Sequence, residues 1–211
     1  MEFFQKLKPH HLDALKEIGN IGAGHAATAL SKLLNKKIDM SVPAVRLVSF
    51  QDLPDQIGGA DQKVAAIFLR IEGDAPGSIF YISHIEETEK LIQHLTNELT
   101  FQLQEPPYDE LGTSAFLEVG NILAGSYLSS LADFTQLSLQ PSVPGFSVDM
   151  AGAILSYGLI PLSEVGDYAI VIDTEMMELD AKEGRIRGHF LLLPDPQSFK
   201  EIFTALGVDL R

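Results

Sequence analysis

One combination of residues occurs twice in this chain, as Asp13-x-x-x-Glu17-x-x-Asn20-x-x-x-Gly24 and as Ser114-x-x-x-Glu118-x-x-Asn121-x-x-x-Gly125. On a helix turning ~100° per residue, the four positions of each copy fall within an arc of about 60°, so a carboxylate, a carboxamide and a glycine share one stripe. The carboxylate can pair with a cation, and the carboxamide both donates and accepts hydrogen bonds without carrying charge. Neither asparagine nor glycine is favoured on an exposed helix, costing roughly 0.6 and 1 kcal/mol relative to alanine. Glycine lets another backbone come close. Each residue alone has an ordinary reading: Glu17 and Glu118 as solvated glutamates, Asn20 and Asn121 as local backbone bonders, Gly24 and Gly125 as packing glycines, Asp13 and Ser114 as early-turn caps. The recurrence of the whole set favours a docking surface for a partner, with the polar pair at its centre.

Other chemistries find no support. Without cysteine there is no disulfide framework, thiol nucleophile or cysteine-based metal site. Gly19-Asn-Ile-Gly-Ala-Gly24 reverses the order of a dinucleotide fingerprint and lies within a helix, where that fingerprint needs a strand-to-helix turn. The histidines 10, 11, 25, 84, 94 and 189 form no zinc-like spacing, and no G-x-S-x-G elbow occurs.

The elements that carry the stripes repeat with them. A shift of 101 residues superimposes 13–45 on 114–146 without a gap, with 11 identities in 33 positions, ending in Ser41-Val42-Pro43 over Ser142-Val143-Pro144. Later segments match at an offset of 111, Gly77–Ile82 over Gly188–Leu193, so a longer connection precedes the last strand, and polar Glu178–Gly184 can supply it. Each copy reads as a long helix (about 10–35; 109–134), strands near 38–50, 63–72 and 77–83 (137–149, 167–174 and 185–193), and a short helix at 86–97 (197–206). Gly152–Pro161 reads as a further strand. Leu15, Ile18, Gly22, Ala26, Ala29 and Leu33 form the core face of the first helix, and Phe116, Val119, Leu123, Tyr127, Ser130 and Phe134 that of the second. The expected fold is α/β of the α+β kind. It is one domain spanning 1–211 whose halves, 1–105 and 106–211, are related by a pseudo-twofold, with the long helices packed on a shared antiparallel sheet.

The 211 residues are 45% hydrophobic and 21% charged, the profile of a globular chain, and the net charge of −14 argues against a polyanionic partner. No apolar stretch is long enough to span a bilayer, so a soluble cytoplasmic protein is expected. Between Lys90 and Lys182 there is no lysine or arginine, whereas thirteen acids fall there. The second stripe therefore sits in a more acidic stretch than the first, an arrangement that would steer a lysine-bearing partner towards it.

The doubled pattern resembles the signature of the CheC/CheX/FliY family of chemotaxis phosphatases, and a two-copy chain of this length is most similar to its CheC branch. The resemblance runs from the first helix through the last strand. It implies hydrolysis of the aspartyl phosphate of the response regulator CheY, with Asn20 and Asn121 orienting the attacking water and Glu17 and Glu118 pairing with a regulator lysine. Asp13, Gly24, Ser114 and Gly125 would then line the docking surface. No cofactor of the chain's own is implied; Mg²⁺ is expected on the regulator, and the receptor-modifying deamidase CheD as a second partner. The alternative is a non-enzymatic adaptor that binds phosphorylated CheY, CheD or both.

Overall fold

The computed structural model describes residues 7–103, 105–159, 168–179 and 185–208. The first half runs α1 (Pro9–Leu34), β1 (Ile38–Ser41), β2 (Val45–Ser49), α2 (Leu53–Gln56), β3 (Lys63–Gly73), β4 (Gly77–His84) and α3 (Ile85–Thr96). The second runs α4 (Glu110–Thr135), β5 (Leu139–Pro141), β6 (Gly145–Met150), α5 (Ala151–Leu159), β7 (Tyr168–Glu178), β8 (Ile186–Pro194) and α6 (Pro196–Ala205). Both long helices start on local chemistry. Pro9 occupies the first turn of α1, where its missing N–H costs nothing, and the Lys8 N–H donates to His11 Nδ1 at 3.0 Å. Burial, then the neighbouring His10 and Lys8 charges, hold the His11 pKa below its ordinary value. At the start of α4, Asp109 accepts from the Gly112 N–H at 2.7 Å. Asn35 and Gln136 end the two helices in the left-handed region, with φ of 50° and 59°.

All eight strands join one antiparallel sheet in the order β1-β7-β8-β4-β3-β5, with β2 also on β7 and β6 also on β3. The order shows how the halves combine. Each half forms its own hairpin, β3–β4 or β7–β8, and lends its edge strand to the other half's hairpin. At the centre β4 pairs with β8, setting Tyr81 opposite Phe190 with ring centroids 5.0 Å apart. The expected shared sheet is present, and its edges are exchanged.

Cores cover both faces of the sheet, which is why β4 and β8 read as continuous apolar runs instead of alternating. On one face lie α1 and α4, over Leu69, Ile79, Tyr81, Phe190 and Leu192. On the other, Phe80, Ile82, Val171 and Leu191 pack with Leu53 and Leu155, from α2 and α5. Here the sequence reading is corrected, because Gly152–Leu159 is helical, not a strand. Ala151, Ile154 and Leu155 are buried at helical spacing, and a single β-branched residue gives the segment little preference for extended backbone. Residues 160 and 161, and most of the polar connection at 178–184, lie outside the described residues.

The core faces of the long helices need a second correction. Leu33 and Phe134 are 54% and 56% exposed, whereas Leu30, Ala27 and Leu131 are buried. The buried arc of each helix thus rotates away from Leu33 and Phe134 in its last turns. The glycines beside the asparagines also turn inward. A Cβ on Gly120 would stand 2.3 Å from Ile67 Cδ1, and one on Gly22 would stand 3.0 Å from the Tyr127 Cα of α4. Gly120→Ala is therefore expected to destabilise the fold by about 1–3 kcal/mol through overpacking, measurable as a lower urea midpoint at unchanged slope.

Candidate phosphoryl-transfer site

The outward face of α1 presents Asp13, Glu17 and Gly24 exposed and Asn20 half-buried; that of α4 presents Ser114, Glu118 and Asn121 exposed and Gly125 half-buried. All eight expected residues lie on the sides of their helices away from the core. Neither Glu17 nor Glu118 makes a hydrogen bond or ion pair with a described residue, so two carboxylates stand ready for an external cation. The structure holds each carboxylate–carboxamide pair on one helix, and no hydrogen bond among the described residues joins one motif to the other. There are two separate sites.

Gly24 and Gly125 differ from the glycines that pack internally. A Cβ at either position would meet nothing within 4 Å. Intramolecular packing does not account for them, and alanine there should raise intrinsic helix stability by about 0.5–1 kcal/mol each. If a partner backbone uses the space, the same change lowers activity. Gly24→Ala with Gly125→Ala is accordingly expected to raise the melting temperature while lowering kcat/KM on the partner. A rise in melting temperature with unchanged kcat/KM would remove the glycines from the docking surface.

Asn20 rests on a feature of the edge strands that was not expected from the sequence. Between β1 and β2, Val42-Pro43-Ala44 face only two residues of β7, since Ser41 pairs with Glu175 and Val45 with Ile172. Between β5 and β6, Ser142-Val143-Pro144 face only two residues of β3, Pro141 pairing with Ile71 and Gly145 with Phe68. A one-residue bulge thus occurs in each half, one position earlier in the repeat in the second. The first lies beneath its helix: Asn20 Oδ1 accepts the Val42 N–H at 2.9 Å, and Val42 is 1% exposed. In the second, the Ser142 N–H donates to the Arg70 carbonyl and Ser142 Oγ accepts the Arg70 N–H, both at 2.9 Å. Val143 points outward, 89% exposed, and Asn121 makes no hydrogen bond to a described residue. The repeated Ser-Val-Pro was the sequence signal for these bulges.

Tertiary pairing also reduces the charge asymmetry. Asp173 binds Arg46 at 2.7 Å and His189 at 2.8 Å, Glu175 binds Arg185 and Arg187 at 2.9 and 3.2 Å, and Glu178 binds Lys36 at 3.2 Å. These acids of the cation-free stretch are matched by cations from outside it. Around α4 itself the excess remains, in Asp109, Glu110 and Glu118. Among the described residues no group of histidine and carboxylate side chains could hold a metal ion, and no helix is long and apolar enough to cross a membrane.

The fold is a mixed one, two long helices on a shared antiparallel sheet, with an outward Glu–Asn pair on each helix as a candidate site. The sequence model of the CheC-like family matches residues 11–47 and 111–148, one match on each motif helix and the strands after it. The chain is 48% identical over 210 residues to the CheY-P phosphatase CheC of Bacillus subtilis, covering the whole of both chains. It belongs to the CheC-like family. The flagellar motor switch phosphatase FliY of Bacillus subtilis is 29% identical over 132 residues, 63% of this chain and 34% of that one. The crystal structure of Thermotoga maritima FliY shares the fold, with a TM-score of 0.76 at 19% identity over 95% of this chain and 98% of that one.

Proposed function

We propose that this protein is a chemotaxis phosphatase that hydrolyses the aspartyl phosphate of phosphorylated CheY. The observation that carries the reading is the pair of outward stripes, each with a glutamate that pairs with no described residue, one helical turn before an asparagine. An acyl phosphate is a reactive mixed anhydride, so its hydrolysis needs mainly an aligned water and shielded charge. The water oxygen attacks phosphorus in line, the bond to the aspartyl oxygen breaks, and the carboxylate leaves as orthophosphate forms. Asn20 or Asn121 aligns that water, and because the amide is neutral it does not repel the phosphoryl oxygens. Glu17 or Glu118 pairs with a lysine of the regulator and fixes the docking register. Asp13, Gly24, Ser114 and Gly125 line the contact.

The chain supplies position and the regulator supplies charge: its Mg²⁺ and lysine carry the electrostatic stabilisation, so this protein needs no cofactor of its own. Phosphate release from phosphorylated CheY, with and without the protein, tests the proposal. Binding of phosphorylated CheY without faster release would establish the adaptor reading instead. CheD is the second partner we propose, on the family's association, and a pull-down with CheD tests it.

A further inference from the structure

The two sites share their Glu, Asn and Gly, differ at Asp13 and Ser114, and hold their asparagines differently. Resting on the phosphatase reading, we infer that the main-chain N–H of Val42 is a positioning group for the first site: it presets the Asn20 carboxamide for the water, while the second site lacks this support and orders Asn121 only in the step that follows docking.

A backbone N–H can only donate, so the amide atom facing Val42 at 2.9 Å is the oxygen. That fixes the rotation of the Asn20 carboxamide. Its NH₂ donors and the remaining oxygen lone pair are left for the water and the phosphoryl group. The support is itself rigid. Val42 is 1% exposed, its side chain fills the hollow beside Gly19, where a Cβ would stand 3.3 Å from Val42 Cγ2, and Pro43 fixes the bulge immediately after it. The Ala44 carbonyl accepts the Asp173 N–H at 3.0 Å, tying the bulge to β7.

At the second bulge the equivalent residue, Val143, turns to solvent, and no hydrogen bond joins its N–H to Asn121 or to another described residue; Ser142 beside it bonds Arg70 of β3. Asn121 therefore keeps its rotational freedom, and immobilising it around the water adds to the barrier of the step that follows binding. This is a difference in preorganisation between sites that share a mechanism.

Val42 N–H lies outside the strand ladder and donates only to Asn20, so proline at 42 removes that donor and no ladder bond. Alanine at 42 keeps the donor and loses only the side chain. With the second site disabled by Asn121→Ala, Val42→Pro is expected to lower kcat about threefold to tenfold with little change in KM, and Val42→Ala to retain the kcat of its parent. With Asn20→Ala in place, Val42→Pro lowers kcat no further, because there is no amide left to hold. Equal kcat in the Val42→Pro and Val42→Ala proteins overturns the inference.

A second readout needs no catalysis and no proline. In the wild-type protein, hydrogen exchange at the Val42 amide should be slow and the Asn20 side-chain amide should show a higher NMR order parameter than that of Asn121; Asn20→Ala should speed exchange at Val42. Equal order parameters for the two side chains overturn the inference even if proline at 42 prevents folding. If the wild-type protein releases no phosphate, the phosphatase reading fails on its own, and the exchange and relaxation measurements still decide whether Val42 holds Asn20.

Discussion

Replacing both Asn20 and Asn121 with alanine is expected to reduce phosphate release from phosphorylated CheY by at least about 100-fold, to the regulator's own rate of decay. The size follows from the division of labour. If the regulator supplies Mg²⁺ and lysine, what this chain adds is the placement of one water, and misplacing a reacting group by about 1 Å can cost 10²-fold. The fold should survive, because Asn121 is exposed without a bond to a described residue and Asn20 makes one hydrogen bond, to Val42. Losing that bond leaves the Val42 N–H unpaired, at a cost of about 1–3 kcal/mol. Each single variant is expected to keep part of the activity, since the other site remains whole. Full phosphatase activity in the double variant, with phosphorylated CheY still bound, would refute water alignment by asparagine. Glu17→Ala with Glu118→Ala should weaken binding of the regulator in the same assay.

Separating the chain between its halves is the other change with a large effect: fragments 1–105 and 106–211 are each expected to be unfolded alone and to recover structure only on mixing. The reason is the exchange of edge strands. Without the second half, β3 loses its β5 and β6 partners and β4 loses β8; without the first, β7 loses β1 and β2, and β8 loses β4. Each isolated half would be left with a two-stranded hairpin, which is marginal in water, and with a long helix whose packing face is exposed. Central contacts such as Tyr81 with Phe190 and Gly22 with Tyr127 also cross between the halves. Circular dichroism of the fragments, alone and mixed, decides the matter. A cooperative melt for either fragment by itself would show that the halves are separate domains.

The repeat was legible because it is a statement about identity at fixed spacing, which needs no coordinates. It located both long helices to within a residue or two, and the stripes followed from helical geometry, since outward and inward positions are set by angle alone. Asp13, Glu17, Asn20 and Gly24, like Ser114, Glu118, Asn121 and Gly125, lie on the expected sides. Where short segments were at issue, periodicity failed: α2 was missed, and Gly152–Leu159 was misread as a strand, because a few apolar residues fit a buried strand as well as one helical turn. Leu33 and Phe134 were misplaced because where along a helix its packing partners end is not written in the helix's own period.

The sequence by itself determined that this protein has two long helices with matching outward Glu–Asn stripes, and an antiparallel sheet beneath them, because those follow from local spacing and propensity. Only the tertiary structure decided that the halves exchange edge strands, that Gly22 and Gly120 serve packing while Gly24 and Gly125 stay open, and that Asn20 accepts a backbone N–H while Asn121 bonds no described residue. Ser-Val-Pro recurs in both halves, yet the Val42 N–H binds its helix while the equivalent Val143 turns to solvent. Which partner a backbone N–H finds depends on the neighbours that distant strands bring to it.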